Sequence, residues 1–208
     1  MTLRFLGTAV QKNGRKTDMN MDKREIRRQV LALRGNLSDT ERERARVLLT
    51  ERILGHQWFY RSDTLLGFAG CGSEIDTEEI LREALRLGKK VYLPRVTDEA
   101  EGRMAFLRID SWEDIKPGYR DIPEPDAEAE IYEYHEEETE RVLMLMPGVA
   151  FDSCRNRIGY GRGFYDKYLA DKPDLQFRTI AVGFRCQMLD EEIPCGEYDI
   201  KPCQVICV

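Results

Sequence analysis

One stretch constrains this chain more than any other. The apolar run Val142, Leu143, Met144, Leu145, Met146 reads as a buried strand, and Pro147-Gly148 stops it. Glycines then recur at alternate positions, 159, 161 and 163, before a helix expected from Phe164 to Ala170. A strand, a loop able to approach a ligand closely and a helix start fit only a few folds, chiefly the open α/β sheets. The glycines leave backbone N–H groups bare, and Arg157 and Arg162 stand beside them, so the loop is a candidate cradle for a polyphosphate. Asp166 follows where a carboxylate could hold a magnesium ion that the phosphates also ligate. On the glycines alone a plain structural turn is equally open, because the spacing matches neither the Walker nor the dinucleotide pattern.

The rest of the chain supplies alternating strands and helices. Asp22 caps a first helix, with Glu25 as capping-box partner and Ile26, Val30, Leu33 and Leu37 as its apolar stripe. Lys23, Arg27 and Arg34 fall in a narrow sector beside that stripe. A solvated basic face is the simpler reading of the periodicity; cations leaning over a pocket rim are the other. Ser38 and Glu41 form a second capping box, opening a helix whose Ala45, Leu48, Leu49 and Arg52 stem are expected to face the core. Trp58, Phe59 and Tyr60 are expected to plug it. Residues 64 to 69 read as a strand, followed by the loop carrying Glu74 and a cap at Asp76 with Glu79. A strand is expected from Lys90 to Pro94, with Pro94 ending it, another covers 104 to 109, and further strands lie at 178 to 184 and 204 to 208. The result is a three-layer α/β architecture, a mostly parallel sheet with helices on both faces.

Composition narrows the function classes. In 208 residues, 34% are Asp, Glu, Lys or Arg and the net charge is −6, which argues against a nucleic-acid partner. With a mean hydropathy of −0.52 and no long apolar run, no membrane partner and a cytoplasmic address are expected. Six scattered cysteines without a zinc-like pair read as free thiols, and Cys203 and Cys207 fall on one face of a strand. The eight carboxylates from Asp126 to Glu140 read as a solvated face. Residues 1 to 20, with no sustained periodicity, are expected to be a flexible extension to one α/β domain over 21 to 208, with Met19 and Met21 as alternative starts.

The string from Pro147 to Asp166 resembles the signature of the 5-formyltetrahydrofolate cyclo-ligase family, also called 5,10-methenyltetrahydrofolate synthetase. The resemblance extends from residue 22 to about 205, through Lys23-x3-Arg27, Glu74-Ile75-Asp76-Thr77, Leu93-Pro94-Arg95, Ile122-Pro123-Glu124-Pro125 and Gln187. It implies a fold similar to the sugar-isomerase and CoA-transferase group, and Mg- and ATP-dependent conversion of 5-formyltetrahydrofolate to 5,10-methenyltetrahydrofolate. It implies Lys23, Arg27, Arg157 and Arg162 as the catalytic cations. It also implies ATP contacts from Lys23 and Arg27 and from the loop Arg157, Ile158, Gly159, Tyr160, Gly161, Arg162, Gly163, Phe164 and Tyr165. Folate contacts fall to Glu74, Tyr160, Gly161, Arg162, Gly163 and Phe164, and magnesium to Asp166 and Asp199. Arg95 is a secondary candidate for phosphate or substrate. Departures from the family pattern are Arg155 for a usual Gly, Phe164 for a common Tyr, and Tyr198 for a frequent His. A monomer or weak homodimer is expected. A non-catalytic nucleotide- or folate-binding relative stays open as an alternative, as does a sugar-phosphate isomerase or transferase of similar fold, which would need no ATP.

Overall fold

The computed structural model describes residues 22–118 and 122–208, so the expected extension over 1 to 20 lies outside the described residues. The helices and strands run in the order α1 (Lys23–Gly35), α2 (Asp39–Leu54), α3 (Gln57–Arg61), β1 (Thr64–Leu66), α4 (Glu78–Arg86), β2 (Lys90–Asp98), β3 (Arg103–Ile109), β4 (Lys116–Pro117) and β5 (Pro123–Glu124). They continue with β6 (Val142–Met146), β7 (Ala150–Asp152), β8 (Arg157–Ile158), α5 (Phe164–Leu169), α6 (Pro173–Gln176), β9 (Thr179–Gly183), β10 (Met188–Leu189) and β11 (Gln204–Cys207).

The main sheet has the order β11-β9-β6-β1-β2-β3, and each neighbouring pair is parallel except β2 with β3. Its central strands are apolar on both faces, as a sheet covered twice requires. Leu65, Leu143, Leu145, Ile180 and Val182 pack under α2, α3 and α4. Leu66, Met144, Met146 and Ala181 pack on the opposite side with α5 and α6. The chain leaves β1 for β2 on one side and returns to β6 on the other, so the loops after β1 and β6 diverge around a crevice. Open α/β sheets bind ligands at such a reversal.

A second sheet, β10-β7-β8, has its own apolar cluster. Ile26 and Val30 of α1 pack there on Val149, Ala150, Ile158, Leu189 and Ile193. α1 therefore lies across the small sheet, directly over the chain that makes the glycine loop.

Several local readings are corrected. β1 stops at Leu66 instead of running to 69, and β2 runs through Pro94 to Asp98. Pro94 is tolerated because β1 has already ended opposite Tyr92, leaving β2 with β3 as its neighbour in the sheet there. Leu48 and Tyr60 are exposed, at 47% and 85%, and Arg52 is exposed as well. Glu25 bonds Arg28 and Gln29 instead of closing a capping box at Asp22, whose side chain accepts the Arg24 and Glu25 amides. Thr77 stands at the N-cap of α4 without a side-chain cap bond, and Asp76, one residue earlier, accepts the Glu78 amide. The acidic run also does more than face water: Tyr132 N–H donates to Phe106 O, and Leu107 bridges to Ile131, so this segment lies along the outer edge of β3. Cys203 falls just before β11, so only Cys207 is in the strand.

Candidate active site

The glycine loop takes a shape that its glycines alone make cheap. Gly161 has φ +106 and Gly163 has φ +69, both in the left-handed region that costs other residues about 1–2 kcal/mol. Gly163 is also the N-cap of α5. Arg27 reaches across from α1, its Nε donating to Gly159 O at 2.9 Å. Its Nη2 lies 3.7 Å from where a Cβ on Gly161 would stand. The first cation of the same helix face, Lys23, donates to the carboxylate of Asp199. The two cations flagged by the Lys-x3-Arg spacing thus converge on the glycine loop and its neighbour.

Arg157 and Asp166 complete this side. Arg157 Nη2 donates to Asp166 Oδ1 at 2.9 Å, and the same oxygen accepts the Ile200 amide at 3.1 Å. Ile200 follows Asp199 directly, so the segment that carries one predicted metal carboxylate is tied to the other. Burial works against charge on Asp199, but the Lys23 ammonium and the Gly196 N–H outweigh it and hold the carboxyl below the ordinary range. Among the described residues no group of three or more His, Cys, Asp or Glu is gathered to hold a metal unaided. Asp166 Oδ2 does face the loop, 3.9 Å from where a Cβ on Gly163 would stand. Asp166, turned toward the loop, and Asp199, next to the amide that bonds it, offer the hard oxygen donors that magnesium takes.

Arg162 lies elsewhere than its companions. It pairs with Glu99 at 3.0 Å, in the β2–β3 turn, while the next helix sends Lys167 Nζ to Glu101 O. Arg95 is likewise engaged, with Pro125 O at 2.7 Å and buried Glu124 at 3.5 Å.

Two of the residues expected to contact folate meet at the crevice between β1 and β6: Glu74 lines it, and Tyr160 joins it through Arg34. Glu74 Oε2 accepts the Cys71 amide at 3.1 Å. Tyr160, 52% exposed, presents much of its ring to solvent. Burial of its hydroxyl and the nearby Glu74 push the phenol up, and the Arg34 guanidinium pulls only partly back. Gln187 is buried after β9; its Nε2 donates to Gly148 O and Val149 O, and its Oε1 accepts the Phe184 amide. It therefore pins the Pro147-Gly148 turn at the floor of the crevice.

Sequence reasoning left Arg34 undecided, and it is the residue most deeply built into the site. It is only 2% exposed. Its donors reach Ser73 Oγ at 2.9 Å, Gly148 O at 3.4 Å and Tyr160 Oη at 2.5 Å. The signal was present: at about 100° per residue, position 34 lies about 40° from Val30, inside the buried stripe.

Fold and site together define a class: a two-faced, mostly parallel α/β protein with a cation-lined glycine loop and a polar crevice at its point of chain reversal. The chain belongs to the 5-formyltetrahydrofolate cyclo-ligase family, whose model matches residues 19–208. The mouse 5-formyltetrahydrofolate cyclo-ligase is 29% identical over 201 residues, covering 90% of this chain and 94% of that protein. A probable 5-formyltetrahydrofolate cyclo-ligase of Caenorhabditis elegans is 29% identical, covering 88% and 91%. The solution structure of Aquifex aeolicus 5,10-methenyltetrahydrofolate synthetase is similar with a TM-score of 0.72 and 28% identity, over 88% of this chain and 87% of that one. The Mycoplasma pneumoniae 5,10-methenyltetrahydrofolate synthetase shares the fold at a TM-score of 0.68 and 18% identity, over 89% and 98%.

Proposed function

We propose that this protein is a 5-formyltetrahydrofolate cyclo-ligase that uses Mg-ATP to close the 5,10-methenyl ring, releasing ADP and phosphate. The observation that carries this reading is the meeting of Lys23, Arg27, Arg157 and the glycine loop around Asp166 and Asp199, next to a crevice holding Glu74 and Tyr160.

A formamide oxygen is a poor leaving group. Transfer of the ATP γ-phosphoryl to that oxygen converts it to a phosphate ester, N10 attacks the formyl carbon and gives its proton to the departing phosphate, which leaves with the C–O bond electrons. Phosphoryl transfer needs alignment and charge neutralisation more than a side-chain nucleophile. Lys23, Arg27 and Arg157 would exchange their present carboxylate and carbonyl partners for phosphate oxygens, and the amides of residues 159 to 163 would hold the chain of phosphates. Arg162 would leave Glu99 to join them. Magnesium, held by Asp166 and Asp199, would neutralise the phosphate oxygens. Tyr160 and Phe164 would flank the pterin, with Glu74 bonding its polar edge. Gly161, Arg162 and Gly163 would approach the folate along the loop, while Ile158 and Tyr165 would back the nucleotide.

The same reading takes residues 21 to 208 as one cyclo-ligase domain of a cytoplasmic protein, monomeric or weakly dimeric. Among the described residues no helix is long and apolar enough to cross a membrane.

The test mixes the protein with 5-formyltetrahydrofolate and Mg-ATP and follows the absorbance of the methenyl product. Signal is expected only with nucleotide and magnesium present; its absence at high protein concentration favours a binding-only relative. Asp166→Ala is expected to weaken magnesium-dependent ATP binding and Glu74→Ala to weaken chiefly folate binding, both by about 10-fold or more, the scale of a lost charged hydrogen bond. Calorimetric titrations that find both ligands unaffected refute these roles.

A further inference from the structure

Arg34 is a cation taken out of water without a carboxylate partner within 4.0 Å among the described residues. Burying a guanidinium is costly, and such groups persist where they organise something. Its fork reaches three parts of the chain at once: the loop after β1 through Ser73, the turn after β6 through Gly148, and the glycine loop through Tyr160. Those are the two walls of the crevice and the segment that lies over it.

The bond to Tyr160 has a direction. A guanidinium carries only donors, so at this contact the phenol oxygen accepts. The Tyr160 proton must then point away from Arg34, toward an acceptor. Glu74 lies beside the hydroxyl in this structure. A ligand carbonyl or ring nitrogen in the crevice would compete for the same proton.

We propose that Arg34 is a positioning residue for the substrate pocket, fixing Tyr160 as a hydrogen-bond donor toward a folate acceptor and tying the two crevice walls to the Tyr160 side chain. This rests on the functional reading above and adds to it the residue that sets the polarity of the pocket. Arg34 is assigned no contact with phosphate.

Calorimetric titration with 5-formyltetrahydrofolate and, separately, with Mg-ATP tests this in Arg34→Gln, Arg34→Lys, Tyr160→Phe and the Arg34→Gln/Tyr160→Phe double variant. Arg34→Gln and Tyr160→Phe are each expected to weaken folate binding about 10-fold, the scale of a hydrogen bond to a charged group, with ATP affinity within about 2-fold. The double variant is expected to bind folate no more weakly than the worse single one, because both changes remove the same oriented proton. Arg34→Lys keeps the charge but not the fork, and is expected to behave as Arg34→Gln does. If Arg34 variants fold poorly, Ser73→Ala slackens one prong of the fork instead. It should then weaken folate binding in the presence of the Tyr160 hydroxyl and have no effect in the Tyr160→Phe background. Additive losses, equal losses for both ligands, or rescue by lysine overturn the proposal. Wild-type protein that binds no 5-formyltetrahydrofolate overturns the functional reading itself, an outcome distinct from wild-type binding with additive losses.

Discussion

Arg155 shows how one side chain can sit against its own backbone. It has φ +63, the only non-glycine residue among those described with a positive φ, in the turn that leads from Asp152 into β8. Its Nη1 donates to Cys203 O at 2.8 Å, an exposed contact. The left-handed conformation costs a side-chain-bearing residue about 1–2 kcal/mol, and an exposed hydrogen bond returns less. Arg155→Gly is therefore expected to raise stability by up to about 1 kcal/mol, read as an increased midpoint in urea unfolding; a lowered midpoint would show that the Cys203 contact dominates. The family's usual glycine at this position agrees with the geometry. Such strain was visible in the sequence only as a departure from pattern, since nothing in a lone Arg announces its φ. Arg34 was legible from helical periodicity, but its polarity argued against burial, and its three acceptors come from segments far along the chain.

At the scale of elements, α1 is the one that joins packing to chemistry. Ile26 and Val30 hold it on the small sheet while Lys23 and Arg27, on the adjoining face, reach Asp199 and the glycine loop. Ile26→Ala should cost about 2–4 kcal/mol, the range for emptying a well-packed aliphatic site. It should also weaken nucleotide binding, because the helix that carries the cations loses its footing. Leu175→Ala, on the buried side of α6 on the other face, provides the comparison. Its stability loss should be similar and its effect on nucleotide titrations small. Equal effects on nucleotide affinity would separate α1 packing from the site. The capping box at Ser38 and Glu41 was readable because caps are local. The docking of α1 on β7 and β8 was not, since a helix stripe reveals that it is buried but not against what. The overrun of β2 past Pro94 escaped for the same reason: a proline excludes an inner strand, yet which stretch of a strand lacks a second neighbour is a property of the sheet.

Across the whole molecule the site is balanced by internal ion pairs. Lys23 with Asp199 and Arg157 with Asp166 offset one another in pairs. Because the Asp199 pKa is depressed in the folded chain, its contribution to stability is present above the ordinary aspartate value of 3.8 and is lost as pH falls through the lower folded value. Asp199→Asn should be less stable than wild type at neutral pH, and the gap should close below about pH 4. Urea unfolding at a series of pH values measures it, and a gap constant down to pH 2 would exclude the pairing. The two-faced sheet and its order of helices and strands were readable because apolar runs and caps alternate along the chain. Which cation meets which carboxylate was not, since partners were set by contacts closed over long separations.

Lys23 and Asp199 are separated by 176 positions in the chain. A nascent polypeptide emerging from the ribosome could form α1 and the first strands early, yet Lys23 could not meet its carboxylate until nearly the last residues were outside. A translation product cut short before Asp199 would therefore keep α1 and most of the sheet and leave the Lys23 ammonium without this partner.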